Sequence, residues 1–225
     1  ISTDAEQMQE ENASNEHLLE VFLSAKQVEG CTTPTIKYYG STIKQLFKKM
    51  PKRVTNYSTE DIRAYLAVFQ RKHKSSKVTI DNIRRIFSSF FAWLEDENYI
   101  IKSPVRRIHK VKTGSQVKEV LTDEHLEQLR DNCSQVRDLA MIDLLASTGM
   151  RSLSKPHNRL QISGVETRLR KIGKTAKIFR VHPHKFRRTL ATMAIDKGMP
   201  VEQVQKLLGH VKIDTTMHYA MVSQN

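Results

Sequence analysis

The chain has 225 residues, enough for one large domain or two small ones, and 39% of them are hydrophobic. The formal net charge is +13, but positions 1–20 hold six acidic residues and neither Lys nor Arg, so the remainder carries +19. Two isolated cysteines and the lack of a long apolar run exclude a disulfide scaffold and a membrane-spanning helix, and the acidic start is unlike a secretion signal. We therefore expect a cytoplasmic protein. The basic body predicts a polyanionic partner, above all nucleic acid, although a merely charged surface would give the same count.

Helical periodicity dominates the first hundred residues, where two apolar stripes within the first fifty positions predict two helices. Ser58 and Asp61 have the spacing of a capping box at the start of a third helix. A fourth helix is predicted from Val78 to Glu95, with aromatic residues that we expect in a core rather than stacked on bases. Together these helices predict a compact bundle over residues 1–107.

Pro104 ends this bundle, and a basic stretch without apolar periodicity follows it. We interpret residues 108–119 as a linker between two domains. Such a linker could lie along a phosphate backbone, or it could simply be solvated.

A second domain is predicted over residues 120–225. It opens at Thr122, which has good N-cap chemistry, and a second helix is predicted from about Val136 to Ala146. The segment from Leu160 to Val165 fits either a strand or the start of a helix.

Proline and glycine mark the later helices of this domain. Pro183 predicts the start of a helix that ends at Gly198, and Pro200 predicts the start of another that Gly209 stops. Asp214 is a candidate N-cap for a last helix.

The last third of the chain also carries residue types that together suit phosphate chemistry. They are Arg151, His184, Arg187, His210 and Tyr219. Arginine and histidine can bind the non-bridging oxygens of a phosphate, and a tyrosine hydroxyl can attack its phosphorus. His184 and Arg187 are three residues apart at a helix start, so we expect both on one face near the positive helix end. Taken singly, each residue also fits an ordinary structural role.

Two neighbours compete with these assignments. His182 is an alternative to His184, and Arg188 is an alternative to Arg187, although we expect Arg188 to face outward. The histidines of this region could suggest zinc, but no Cys or acid completes a ligand set with metal-site spacing, so we expect no metal. The four histidines are His182, His184, His210 and His218.

The order Arg, His-x-x-Arg, Leu-Gly-His, Tyr resembles that of the tyrosine recombinases, or phage-type integrases, and in particular those of conjugative transposons. The resemblance rests on residues 148–151, 184–192, 208–210 and 214–219. Residues 14–110 resemble the helical core-binding domain of the family, and residues 120–225 resemble its catalytic domain. The resemblance implies a mainly α fold, with a mixed α/β but mostly helical catalytic domain, in which the two domains form a clamp around DNA.

The resemblance also implies roles for the phosphate-type residues. Arg151 and Arg187 would bind the scissile phosphate, His184 would act in proton transfer, and His210 would hydrogen-bond the phosphate. Tyr219 would be the nucleophile and would leave a 3′-phosphotyrosine and a free 5′-hydroxyl. Rejoining would need neither ATP nor metal nor any other cofactor.

By the same resemblance, the enzyme would excise and integrate a mobile element in the bacterial cytoplasm, associated with the nucleoid. Its partners would be double-stranded DNA, further copies of itself from dimer to tetramer, and an accessory excision factor. We nominate ten residues of the first domain and the linker for DNA contacts. They are Lys37, Tyr38, Lys44, Lys77, Arg84, Arg85, Arg106, Arg107, Lys110 and Lys112.

The sequence departs from the family pattern in three places. The family usually has Glu or Asp three residues after the first arginine, whereas Arg151 is followed by Ser152-Leu153-Ser154. Only 32 residues separate Arg151 from His184, where the family places a β-sheet and a general-acid lysine. We therefore hypothesise that residues are missing after Arg151. The six residues after Tyr219 are fewer than in the family tail that docks on a neighbouring subunit, so we expect weaker assembly.

No lysine can be assigned as the general acid, and the candidates are expected at the surface. They are Lys155, Lys171, Lys174 and Lys177. Two other functions therefore remain open beside recombination. One is a DNA-binding protein of the same ancestry that does not cleave, and the other is a type IB topoisomerase-like activity that relaxes supercoils.

Overall fold

The structure is a computed structural model that describes the backbone of residues 2–113, 119–150, 162–210, 213 and 216–217, with side chains from Asn15 onward. Nine α-helices and one 3₁₀ helix lie within these residues, and no strand does. The mainly helical prediction is therefore confirmed. The chain divides into two compact units, residues 1–114 and residues 115–225. None of the described helices has the length and apolar character needed to span a bilayer.

Four α-helices and a 3₁₀ helix build the first unit. They are α1 (Ser2–Val28), α2 (Thr33–Lys49), the 3₁₀ helix (Val54–Asn56), α3 (Thr59–His73) and α4 (Lys77–Asp96). Helix α1 packs on α2, and α4 packs on both α2 and α3. The capping box predicted for α3 is present, because Asp61 N–H donates to Ser58 Oγ and the Asp61 carboxylate accepts from Ser58 N–H. A hydrogen bond from Lys52 lowers the pKa of Asp61.

Aromatic side chains fill the core of the first unit, as the sequence predicts. Phe22 of α1 meets Phe90 of α4 edge to face, with ring centroids 5.1 Å apart, and both are fully buried. Phe87 and Phe91 are also fully buried. These rings stabilise the bundle by apolar burial, and they are not available to stack on bases.

The segment after α4 lies on the first unit as far as Val111. Ile108 and Val111 pack against its core, and Val111 N–H donates to Asp81 Oδ1 at 3.0 Å. Arg84 joins the same arrangement, since its Nε donates to Asp81 Oδ1 at 2.8 Å. Burial opposes ionisation of Asp81, but the hydrogen bonds from Arg84 and Val111 hold the pKa of its carboxyl below the usual value. Residues 108–111, the first part of the predicted linker, are thus bound to the first unit.

Five helices build the second unit. They are α5 (Asp123–Asp131), α6 (Val136–Thr148), α7 (Ile162–Thr175), α8 (Pro183–Asp196) and α9 (Val201–Leu208). Helix α6 packs on α5 and α8, and α8 packs on α9. The ambiguous segment near Leu160 resolves into a helix from Ile162 onward, and the segment before it lies outside the described residues.

Local chemistry sets the ends of these helices where the sequence predicts them. Thr122 caps α5, with its Oγ1 accepting from His125 N–H. Pro183 is the first residue of α8, and Gly209 ends α9 with a φ of +62°. The cap expected at Asp214 lies outside the described residues.

A buried ion pair joins α6 to α7. The Asp138 side chain is 1% exposed, and Arg168 donates to both of its carboxylate oxygens. Hydrogen bonding from Arg168 lowers the pKa of Asp138 against the opposing effect of burial. This pair fixes α7 beside a core that includes Leu129, Ile142 and Leu169.

Candidate active site

The start of α8 places the His-x-x-Arg pair. Pro183 supplies the fixed φ of the first helical position, and His184 follows it at the exposed helix end. Arg187, one turn later, is only 5% exposed. The two residues differ in burial, since Arg187 is buried and His184 is exposed, and the expectation that they share one helix face stays a prediction.

Arg187 connects three segments of the chain. Its Nη1 donates to the carbonyl oxygen of Gly149 at 3.0 Å, and its Nη2 donates to the carbonyl oxygen of Leu208. Gly149 caps the end of α6, and Leu208 is the last residue of α9. The last carbonyls of a helix have no partner within the helix and carry partial negative charge, so a buried guanidinium is well suited to bind them.

Gly149 lies at the close approach of α6 to α8. Its φ is +54°, and a Cβ built there would lie 2.8 Å from Leu190 Cδ2 and 3.5 Å from Arg187 Cα. A side chain there would therefore force the Leu190 side chain to move and would strain the left-handed backbone. Arg151 follows Gly149 by two residues but lies outside the described residues.

His210 stands just beyond the end of α9 and is buried. Its backbone N–H donates to Gln205 O at 3.0 Å, and Gln205 Nε2 donates to His210 O at 2.9 Å. The ring Nδ1 lies 2.8 Å from Oγ1 of Thr216, which is fully buried. Tyr219 comes three residues after Thr216 and lies outside the described residues.

The competing residues beside the pair have their own environments. His182 is half-buried, and burial together with the neighbouring Arg188 lowers its pKa. Arg188 is buried, which corrects the expectation that it faces outward. Lys185 is buried too, and its Nζ donates to Phe179 O at 3.0 Å. Desolvation lowers the pKa of Lys185.

The lysine candidates are exposed where they are described. Lys171, Lys174 and Lys177 lie at the surface of α7 and the turn after it, and Lys155 lies outside the described residues. No group of three or more His, Cys, Asp or Glu side chains among the described residues is arranged to bind a metal ion.

Nine of the ten nominated DNA-contact residues are exposed. Arg106 is exposed and reaches Glu95 at 3.3 Å, an ion pair that solvent weakens. Arg84 differs, because its side chain is only 13% exposed and is held by Asp81. Arg84 therefore supports the first unit, and its nomination for DNA contact stays a prediction.

Sequence patterns missed the backbone partners of Arg187 and the ring partner of His210. Gly149 had a visible signal, since a glycine directly after an apolar helix is typical of a left-handed cap. Thr216 had none, because the sequence does not show which hydroxyl a buried histidine meets.

Two family models match the chain. The model described as the phage integrase family matches residues 152–225, and the model of a phage integrase N-terminal SAM-like domain matches residues 18–101. The tyrosine recombinase XerC of Oceanobacillus iheyensis is 24% identical, with 92% of each chain covered.

Solved structures share the fold. The chain resembles a lambda integrase dimer bound to a COC′ core site, with a TM-score of 0.71 and 16% identity over 92% of this chain and 78% of that one. It also resembles the Tn1549 transposon integrase in complex with a circular intermediate DNA, with a TM-score of 0.67 and 15% identity over 90% and 94% of the two chains.

The alignment with the Oceanobacillus iheyensis protein is longer than this chain. It runs over 282 positions, more than the 225 residues of this chain, so that relative has aligned residues with no counterpart here. The two matched ranges leave residues 102–151 between them, and this stretch ends at Arg151.

Proposed function

The chain belongs to the tyrosine recombinase, or phage integrase, family of enzymes that break and rejoin DNA at specific sites, and we propose that it excises and integrates a mobile element. The proposed reaction proceeds through a 3′-phosphotyrosine on Tyr219. The transposon assignment rests on the motif residues quoted above, and the breakage and rejoining rest on the family.

The hydrogen bonds of Arg187 are the main support for the proposed phosphate site. The Arg187 guanidinium binds the backbone at Gly149 and Leu208, so the segments that lead to Arg151 and to His210 end at one place. A phosphate at this place would meet cations from separate parts of the chain. Such preorganised donors stabilise the charge that builds up on a phosphate during transfer.

Each proposed residue then has a chemical part. The Tyr219 hydroxyl loses its proton as its oxygen forms a bond to phosphorus. The bond from phosphorus to the 5′-oxygen breaks, and the leaving 5′-oxygen takes a proton. Arg151, Arg187 and His210 bind the non-bridging oxygens, and His184 serves in proton transfer. His184 suits this part because it is exposed at the positive end of α8.

The partners are proposed on the same basis. Residues 21–225 carry +19, and nine nominated side chains are exposed, which supports binding to a DNA backbone. We propose assembly of dimers and tetramers on DNA, help from an accessory excision factor, and action in the bacterial cytoplasm close to the nucleoid.

A second candidate function has its own observation. The relative has aligned residues that are missing here, and no described lysine is placed as a general acid. A chain that lacks these residues would bind its DNA site without cutting it. We propose that the missing block belongs directly after Arg151, where residues 152–154 already depart from the family pattern.

Nicked duplexes that carry the ends of the parent element separate the two functions. A nick close to the cleavage position lets the short product diffuse away, so that a covalent adduct accumulates and survives denaturant. We expect an adduct that Tyr219→Phe abolishes. Tight site-specific binding without any adduct would favour the second candidate, and insertion of the relative's block after Arg151 should then restore cleavage.

Strand exchange distinguishes recombination from topoisomerase-like relaxation. Recombination requires joined products between two duplexes that each carry the site. Relaxation of supercoiled DNA without such products would contradict the proposed function.

A further inference from the structure

The His210 imidazole contacts the hydroxyl of Thr216. Its Nδ1 lies 2.8 Å from Thr216 Oγ1, and both residues are buried. The carbonyl oxygen and the side-chain amide of Gln205 hydrogen-bond to the backbone of His210, whereas Thr216 contacts its ring. The Thr216 hydroxyl therefore acts on the ring itself, and a hydrogen bond between buried groups is costly to break.

The direction of this hydrogen bond decides what the other ring nitrogen can do. A neutral imidazole carries one proton, so one nitrogen donates and the other accepts. A phosphate oxygen accepts, so His210 can serve it only with the proton on Nε2. That tautomer leaves Nδ1 as an acceptor, and its partner must then be a donor.

We propose that Thr216 is a positioning residue that donates its hydroxyl proton to His210 Nδ1 and so presents Nε2–H to the scissile phosphate. This inference rests on the proposed function, since it gives His210 the role of a phosphate donor. It adds a residue to the machinery that acts through His210 and touches no reacting atom.

The same bond bears on the nucleophile. Tyr219 is three residues beyond Thr216, and three residues of chain reach no farther than about 11 Å. The Thr216–His210 hydrogen bond is therefore close in the chain to the proposed nucleophile. Loss of the hydroxyl should affect the cleavage step more than the binding of DNA.

Single-turnover cleavage of the nicked duplex tests this role. Thr216→Val removes the hydroxyl with little change of shape, and we expect it to slow adduct formation roughly tenfold with unchanged DNA affinity. Thr216→Ser should restore most of the rate. Thr175→Val, which alters an exposed threonine at the end of α7, should leave the rate as it is.

A double-mutant cycle shows whether Thr216 acts through His210. Thr216→Val should add no further loss in a His210→Ala background, because the group that it positions is gone. Equal losses in both backgrounds would overturn the proposal, since Thr216 would then act independently of the ring.

Nitrogen NMR of the DNA-free chain, labelled in its histidines, reports which ring nitrogen of His210 carries the proton. A merely structural role of Thr216 would not change this tautomer. At a pH of about 8, where an ordinary histidine is neutral, we expect His210 to carry its proton on Nε2, and we expect Thr216→Val to mix the two tautomers. A proton on Nδ1 in the unaltered chain would overturn the proposal. An unaltered chain that forms no adduct would count against the proposed function, while the NMR result would still decide the hydrogen bond.

Discussion

Nη1 of Arg187 donates to the carbonyl oxygen of Gly149 across 3.0 Å, and the two residues are 38 positions apart in the chain. The guanidinium also binds Leu208 O, so one buried side chain of α8 hydrogen-bonds to the ends of both α6 and α9. The proposed chemistry requires Arg187 at the phosphate. The same side chain therefore also binds the ends of α6 and α9, which lead to the other proposed phosphate ligands. Catalysis and stability of the second unit should depend on Arg187 together.

Replacing Arg187 by lysine keeps the charge but removes the fork that reaches two carbonyls. We expect Arg187→Lys to lower the free energy of unfolding by about 1.5–3 kcal/mol, because a buried carbonyl loses a charged donor. Urea unfolding followed by circular dichroism measures this loss. Arg170→Lys on the exposed side of α7 is the matched control, and an equal effect of both changes would contradict the bridging role.

Gly149 and Gly209 have similar backbone angles but differ in the space available for a side chain. Both have positive φ, +54° and +62°, but a Cβ at Gly149 would meet Leu190 at 2.8 Å, whereas a Cβ at Gly209 would meet nothing within 4 Å. Gly209→Ala should cost about 1 kcal/mol for the left-handed conformation alone. Gly149→Ala should cost about 0.5–1.5 kcal/mol more, because the Leu190 side chain must also leave its present rotamer.

Thermal and urea unfolding of the two alanine variants give the difference directly. Their DNA cleavage should differ as well, since only Gly149→Ala disturbs the packing between the end of α6 and α8. Equal stabilities would show that the Leu190 side chain moves at no cost, and the close approach would then not matter.

The sequence predicts those parts of the fold that depend on residues close together in the chain. Caps such as Ser58 and Thr122 depend on partners within four positions, and the apolar stripe of α4 needs only its own period. Tertiary contacts determine the rest. The burial of Arg188 and the carbonyl partners of Arg187 depend on helices far away in the chain, so local spacing cannot predict them.

Acid should weaken the buried pair between α6 and α7. Arg168 lowers the pKa of Asp138 in the folded state, so the pair stabilises the fold at pH values above the pKa of an unfolded aspartate, about 3.9. This stabilisation is lost as the pH falls through the lower pKa of the folded state. Asp138→Asn should therefore reduce stability at neutral pH, and its deficit should shrink below about pH 4.

The two partners of this pair should not be equivalent. The Asp138 side chain is 1% exposed and the Arg168 side chain is 28% exposed, so only the arginine can turn to water when its partner is lost. We expect Arg168→Gln to cost about 3 kcal/mol and Asp138→Asn to cost less. Urea unfolding at pH 7 and pH 3.5 measures both effects. Arg130→Gln breaks the more exposed ion pairs of Arg130 with Glu127 and Asp143, and it should cost no more than about 1 kcal/mol. A larger cost would contradict the expected difference between buried and exposed ion pairs.

Arg84 and Arg85 are neighbours with opposite expected roles. Arg85 is exposed on α4, so Arg85→Gln should weaken DNA binding on every sequence and lower the slope of log affinity against log salt by about 1. Arg84 holds Asp81 and reaches Ile108 O, so Arg84→Gln should lower the stability of the first unit by about 1–3 kcal/mol. DNA affinity at several salt concentrations, together with urea unfolding of both variants, tests the pair. A changed salt slope with unchanged stability for Arg84→Gln would return Arg84 to the DNA surface. Unchanged affinity at low and moderate salt for Arg85→Gln would remove Arg85 from it.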